Sequence, residues 1–220
     1  MRDFPIFTTE YGVSSLVLKE IPYKKQAFIC IRDHQLDFFR EHLAECAGFC
    51  RMAGAEFIFA TGAEELEEFP LYTQVLEMRS TAWVDREKLA CLFPVTEVTA
   101  GKWREIYNHA MAGVDNTATL EARDEKKLTE TVGAYFVHRD GDLLGIGWRD
   151  DCKLLAVASV KPGAGETVMH TLMSLVEEDQ MTLEVASTNI RAIRLYEKLG
   201  FLKTAEISRW YDVSDAWKRR

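Results

Sequence analysis

Residues Leu183–Phe201 read LEVASTNIRAIRLYEKLGF, and this stretch decides the fold. The run from Met181 to Ala186 is an apolar strand interrupted by one carboxylate, Glu184. Asn189 stands where a helix N-cap belongs, because its short side-chain oxygen can accept a hydrogen bond from the first turn. A helix is expected from Asn189 to Leu199, with Ala192, Tyr196 and Leu199 on its apolar face. Gly200 ends that helix, and Phe201–Val213 reads as a strand pair.

Working outward, the same logic fills the chain. A helix from Gly165 to about Glu178 precedes the strand, and Lys153–Val160 (KLLAVASV) is a further strand. Ala134–His138 and Leu143–Trp148 form a hairpin whose turn is Asp140-Gly141-Asp142. Upstream, Thr99 can cap a helix running to Met111, with Trp103, Ile106, Tyr107 and Ala110 on its apolar side. A polar loop, Asp115–Thr119, leads to a short helix at Asp124–Leu128. The first 95 residues repeat part of this theme. Ser15–Ile21 and Gln26–Ile31 are strands, and Asp33 can cap a helix to Met52 that carries Leu36, Phe39, Leu43, Ala47 and Cys50. Gly54 ends that helix, and strands follow at Glu56–Thr61 and Pro70–Met78. The sequence therefore divides near residue 95 into two α/β halves, 1–95 and 96–220, expected to pack as one body.

The composition is 47% hydrophobic and 28% charged, which suits a globular core and excludes disordered or fibrous classes. A net charge of −8 argues against the basic footprint that nucleic acid or an anionic membrane requires. The opening MRDFPIFTTE lacks an apolar core of a leader, and there is no run of roughly 18 apolar residues, so neither secretion nor membrane spanning is expected. Five cysteines cannot all pair with one another, which points to reduced thiols and a cytoplasmic setting. Cys46 and Cys50 read as core thiols, and no metal site is expected, since the histidines at 34, 42, 109, 138 and 170 show no ligand spacing.

The strand, Asn, A-I-x-L-Y-E-K and L-G-F pattern of residues 183–201 resembles the C-terminal motif of the GCN5-related N-acetyltransferase (GNAT) superfamily, and the element order over 95–220 agrees with it. The first half resembles a degenerate partial copy of the same fold, without the Asn and L-Y-E-K signature. The resemblance implies a mixed central sheet flanked by helices, acetyl-coenzyme A as acyl donor, and a primary amine as acceptor: a peptide α-amine, a lysine or a small amine.

Acyl transfer from a thioester needs a neutral amine, a stabilised oxyanion and a proton for the leaving thiolate. Glu184 is the candidate base, because a carboxylate inside an apolar strand is costly unless it is bonded or used. The alternative is a solvated strand end. In the resembling enzymes that acetylate peptide N-termini, a Glu in the same L-E-V context is the base. Tyr196 is the candidate acid, since a phenol of pKa ~10 stays protonated at neutral pH; its alternative is a core aromatic. A backbone N–H of the Lys153–Val160 strand would polarise the thioester carbonyl.

The resemblance places the coenzyme along Ala158, Ser159, Val160 and Lys161, over the turn Gly163, Ala164, Gly165, Glu166, Thr167 and Val168, and against Asn189, Ala192, Tyr196 and Lys198. The turn holds G-x-G at 163 and 165 but lacks the family's Arg or Gln. Lys161 is the substitute cation, and Glu166 adds a negative charge where phosphates should lie. Arg191, Arg194, Lys198 and Lys203 against Glu197 alone make a locally positive wall that suits the phosphates of the coenzyme, with a solvated helix face as the alternative. Trp148, Asp150, Asp151, the 115–119 loop and Trp210–Tyr211 fall where the family lines its acceptor groove. A non-catalytic acyl-coenzyme A-binding or interaction module on the same fold is the competing expectation.

Overall fold

The computed structural model describes residues 5–80, 89–130, 133–176 and 180–218. Along the chain lie β1 (Ile6–Thr8), β2 (Gly12–Val17), α1 (Ile21–Lys24), β3 (Gln26–His34), α2 (Phe39–Met52), β4 (Phe57–Thr61), β5 (Leu71–Ser80) and β6 (Cys91–Pro94). After them come α3 (Ala100–Met111), α4 (Glu125–Glu130), β7 (Ala134–Arg139), β8 (Asp142–Asp150), β9 (Lys153–Ser159), α5 (Gly165–Met173), β10 (Thr182–Ala186), α6 (Ile190–Lys198) and β11 (Phe201–Asp212). They form two compact units, Met1–Gln74 with Ser208–Arg220, and Val75–Ile207. The divisions fall inside β5 and β11, not near residue 95. The reason lies in the pairing: residues 75–79 of β5 are in register with β10, so this strand belongs to the later unit's sheet although it precedes residue 95.

In the first unit, β2 pairs antiparallel with β1 and β3, and β3 pairs parallel with β4 across α2. The C-terminal end of β11 closes the sheet against β4, Tyr211 opposite Ala60 and Asp212 opposite Phe59. One face of α2 buries Phe39, Leu43, Cys46, Ala47 and Cys50 against Leu16, Ile29 and Ile58. His42, fully buried among them, bonds Thr9 Oγ1 through Nδ1 and Ser14 Oγ through Nε2, both at 2.8 Å. Burial drives the Cys46 and Cys50 thiols up to about 11 and about 12.

Three local expectations give way here. Asp33 lies in β3 and caps nothing; a 3-10 turn, Leu36–Phe38, leads into α2 instead. The strand expected to reach Ile21 stops at Val17, because Pro22 suits the first turn of a helix and α1 begins there. Residues 201–212 make one twelve-residue strand rather than a pair, with no turn residue to break it.

In the second unit the strand order is β5-β10-β9-β8-β7-β6, with the N-terminal part of β11 on the other side of β5. The β7–β8 hairpin turns through Asp140 (φ 54°) and Gly141 (φ 83°), a left-handed pair suited to a two-residue loop. α5 and α6 cover one face, where Val168, Met169, Leu172, Tyr196 and Leu199 pack on Leu154, Leu183 and Val185. α3 and α4 cover the other, centred on Trp103, whose indole N–H donates to Tyr135 O at 3.1 Å. Thr99 sits at the N-cap of α3, but its hydroxyl bonds back to Thr96 and leaves the helix amides alone. No helix among the described residues is long and apolar enough to cross a membrane.

Candidate active site

The site begins with a fault in β9. Ala156 pairs with Trp148 and Leu154 with Arg149, so Leu155 is an extra residue on β9, a bulge. It re-aims the strand: Leu154 and Val157 face α5 and α6, whereas Ala156 and Ala158 face α3. Parallel pairing with β10 stops at the same place, after Lys153–Thr182 and Leu154–Leu183. Beyond it the two strands part.

The gap exposes backbone. Val160 N–H donates to Leu144 O at 2.9 Å, which makes Gly145–Ser159 a non-hydrogen-bonded pair. By alternation Gly147–Val157 is another. The N–H and C=O groups of Val157 and Ser159 therefore point away from β8, into the opening left by β10.

A cavity of about 690 Å³ fills this opening. One wall is β9 from Leu154 to Ser159, another is β10 from Leu183 to Ala186. Asn189, Arg191, Ala192, Leu195, Tyr196 and Lys198 of the α6 region close one side. The other side is the end of α3 with Tyr107, Ala110 and Met111, followed by loop residues 114–118. That loop is braced by paired bonds between Asn108 and Leu120, by Tyr107 OH donating to Ala118 O, and by Thr188 Oγ1 donating to Asp115 Oδ2 at 2.7 Å.

The expected site residues separate clearly. Glu184, Tyr196, Ala158, Ser159, Gly163, Gly165, Glu166, Asn189, Ala192 and Lys198 all line the cavity. Val160, Lys161, Ala164, Thr167 and Val168 are not in its lining. Val160 spends its amide on the sheet, Ala164 donates to Lys161 O, and Val168 is fully buried and donates to Ala164 O. The amides of Gly165, Glu166 and Thr167 begin α5, where no intrahelical acceptor exists for them. Gly163 adopts φ 80°, and nothing lies within 4 Å of where its Cβ would stand, so the turn leaves room for a ligand.

The cations near the turn are engaged. Lys161 Nζ lies 2.5 Å from Asp142 Oδ2, and Lys198 Nζ lies 2.5 Å from Glu166 Oε2. Each lysine holds its acid below the usual carboxylate range, chiefly through that hydrogen bond. Asn189 caps α6 by accepting from Ala192 N–H at 3.2 Å, which leaves its amide group for the cavity.

Glu184 is opposite in direction to Leu183 and Val185, which pack toward α5 and α6; its side chain is 42% exposed and its carboxylate takes a 2.6 Å bond from Lys153 Nζ. Tyr196 comes from the α6 side, where burial pushes its phenol up to about 12. The cleft thus joins a phenol from one face of the sheet to a carboxylate directed toward the other. Trp148 packs edge-on against Trp103, and neither it nor Asp150 nor Asp151 is part of the cavity lining. Trp210 belongs to the first unit and packs on Phe28. Arg191, named in the positive wall, is in the lining, whereas Val75 and the α3 wall were missed; Tyr107 and Ala110 share their helix face with buried Trp103 and so read as core. Among the described residues no group of three His, Cys, Asp or Glu is arranged to hold a metal ion.

No known protein-family profile matches the chain. It is 39% identical over 79 residues to the spore coat polysaccharide biosynthesis protein SpsD of Bacillus subtilis (strain 168), a match covering 32% of this chain and 26% of that protein, about a quarter of the relative's length. Among solved structures it is similar to a GCN5-related N-acetyltransferase from Sphaerobacter thermophilus, with 10% identity, TM-score 0.52, and 91% and 76% of the two chains covered. It is also similar to a tandem GNAT protein from the clavulanic acid biosynthesis pathway, with 13% identity, TM-score 0.50, and 96% and 82% covered. The bulged central strand, the parted neighbour and these likenesses agree: the chain has the fold of the GCN5-related N-acetyltransferases.

Proposed function

We propose that the second unit is an N-acetyltransferase that moves an acetyl group from acetyl-coenzyme A to a primary amine in a ternary complex. The observation that carries this reading is the parting of β9 and β10 at the Leu155 bulge, which opens inward-facing amides between Tyr196 and Glu184. The unpaired amides of Gly165, Glu166 and Thr167 and the open space at Gly163 suit the diphosphate of the donor. Asn189 suits its pantetheine arm. The Val157 and Ser159 amides are placed to polarise a thioester carbonyl held in the gap.

In the reaction the amine lone pair forms the new C–N bond, and the carbonyl π pair moves to oxygen. Glu184, directly or through water, takes the amine proton. As the carbonyl re-forms, the C–S bond breaks and the sulfur leaves as thiolate. Tyr196 donates a hydrogen bond to it. Burial pushes the Tyr196 phenol up to about 12, which keeps it protonated and able to donate to the sulfur as the C–S bond breaks, and the thiolate takes up a proton as the coenzyme departs.

SpsD is, by its name, a protein of spore coat polysaccharide biosynthesis, which adds a saccharide-borne amine to the acceptors worth testing. The competing reading, a module that binds an acyl-coenzyme A without turnover, is favoured by the engaged Lys161 and Lys198, which leave the turn without an unpaired substitute for the family's Arg.

Calorimetric titration with acetyl-coenzyme A, paired with thiol release over an amine panel, separates the two. Binding with turnover supports the enzyme; binding without it supports the module; no binding removes both. In an active protein, Tyr196→Phe is expected to lower kcat by ~10²-fold with donor affinity unchanged. Unaltered turnover removes Tyr196 from the mechanism. Glu184→Gln is expected to lower kcat by ~10²-fold with donor affinity unchanged, and unaltered turnover removes the base.

A further inference from the structure

Glu184 does not meet the cavity as a bare negative charge. Lys153 stands on β9 at the last register pairs before the bulge, opposite Thr182 and one residue before Leu154. Its Nζ lies 2.6 Å from Glu184 Oε1, and both side chains are a little under half exposed. The other charged groups of its strand neighbours and of the cavity lining are of both signs. Across β5 its direct partner is Glu77, which accepts from Thr204 Oγ1 at 2.6 Å and has Arg79 Nη2 at 3.8 Å. From the loop after α3, Asp115 accepts from Thr188. From α6, Arg191 contributes a positive charge to the lining.

The geometry points to Lys153 as the residue that decides which amines this site acetylates: by neutralising Glu184 it disfavours an ammonium ion and admits the neutral amine, so the acceptors are amines of low pKa. The inference rests on the acetyltransferase reading. An incoming ammonium near Glu184 also meets the Lys153 ammonium a few ångströms away, so the carboxylate's attraction is cancelled. A neutral amine meets no such opposition. Its proton then leaves only as the C–N bond forms and the nitrogen becomes cationic, which is the moment Glu184 accepts it.

Acceptor chemistry follows. At pH 7 about one lysine side chain in ~2,500 is neutral, against roughly one in 6 to 11 for an α-amine of pKa ~7.7–8.0. A site that takes only the neutral form therefore prefers the low-pKa amine by about 300-fold at equal intrinsic fit. Peptide α-amines and amino sugars belong to the favoured class, and free lysine side chains and polyamines do not.

The test uses the full chain, acetyl-coenzyme A, and three probes: alanine amide, glucosamine and Nα-acetyl-lysine amide. In the wild type, kcat/KM for alanine amide over the lysine probe is expected near 300 at pH 7, and the acidic limb is expected to move with the pKa of the acceptor. Lys153→Met keeps much of the stem and removes the charge. It should narrow that ratio by about fivefold or more, the weight of ~1 kcal/mol between unit charges at 4 Å in water. Lys153→Arg should restore it. Melting temperature and acetyl-coenzyme A affinity, measured alongside, should be unchanged in both variants, so that a structural defect is separated from a change in selectivity.

An unchanged ratio in Lys153→Met, or a wild type that prefers the lysine probe, overturns this inference while leaving the transferase reading in place. Binding of acetyl-coenzyme A with no turnover on any of the three amines overturns the transferase reading and this inference with it.

Discussion

Replacing Gly147 by alanine tests whether α5 is held against the sheet by contact rather than by chance proximity. A Cβ at Gly147 would stand 2.3 Å from Leu172 Cδ1, 2.5 Å from Cδ2 and 3.0 Å from Cγ. Ordinary carbon contacts are ~3.5–4.0 Å, so both methyl carbons are too near by more than about 1 Å. Leu172 is fully buried and cannot turn both methyls away. Either it leaves its rotamer or α5 lifts from β8, and overpacking of this kind costs about 1–3 kcal/mol. Urea unfolding should show that loss. Leu172→Ala alone should cost ~2–5 kcal/mol through the cavity it leaves. Together the two should cost at least ~1 kcal/mol less than their sum, because the new methyl fills part of the hole. Gly48→Ala gives the opposite sign: it lies inside α2 with nothing within 4 Å of its Cβ, so it should stabilise by up to ~1 kcal/mol. Gly147→Ala within ~0.5 kcal/mol of wild type, or a strictly additive double variant, would refute the close-packed account.

Three further outcomes follow from the same chain. Asn189→Ala should lower stability by about 1 kcal/mol and weaken acetyl-coenzyme A binding, whereas Asn189→Asp keeps the oxygen that accepts from Ala192 N–H and should lose affinity alone, as thermal melts and titration calorimetry would show. His42 is held below its ordinary pKa by burial, and secondarily by His34, so the unfolded chain binds the extra proton; stability should be full above ~6.5 and fall as pH drops through that value, with a shallower pH dependence of the denaturation midpoint in His42→Gln. Alkylation of the native protein followed by mass spectrometry should label exposed Cys91 first and reach Cys46 and Cys50 only on unfolding, since those thiols sit near 11 and 12 and are buried; early labelling of either would contradict the packing of α2.

Features written in consecutive residues were legible in the sequence. The Asn189 cap, the Asp140-Gly141 turn and the positive φ of Gly54 and Gly200 each depend on a few neighbouring side chains. What was hidden depends on partners far along the chain. Nothing in KLLAVASV marks Leu155 as a bulge, because the bulge exists only against Trp148 and Arg149 of β8. Lys153 and Glu184 are 31 residues apart, and their contact requires the parallel pairing of β9 and β10. Tyr107 was read as core because helical periodicity reports one face, and this face is shared between buried Trp103 and the cavity. Val160 was expected at the phosphate turn; the sheet claims its amide one residue beyond the end of β9.

The two units show why a repeated topology need not repeat a site. Each has a hairpin strand, a central strand, a crossover helix and a parallel strand: β2, β3, α2, β4 in one and β8, β9, α5, β10 in the other. Each is closed by an antiparallel strand from elsewhere in the chain, β11 for β4 and β5 for β10. The difference lies in the ladder. β3 and β4 stay in register over five pairs, from Gln26–Phe57 to Cys30–Thr61, whereas β9 and β10 keep two. Both hairpins carry one extra residue on the central strand, Arg32 on β3 and Leu155 on β9, but Arg32 comes after all five pairs with β4, whereas Leu155 comes after only two with β10. A bulge beyond the end of the parallel ladder leaves that ladder whole, but one after its second pair turns the amides that follow away from the parallel neighbour. Forgoing those pairs costs about 1 kcal/mol per hydrogen bond. That loss is tolerable only where the freed amides meet water or a ligand, and the cavity between β9 and β10 has room for either. The cavity therefore opens in the second unit because one inserted residue, Leu155, falls after the second pair of its parallel ladder, and the proposed transferase chemistry rests on that opening as much as on the L-Y-E-K signature.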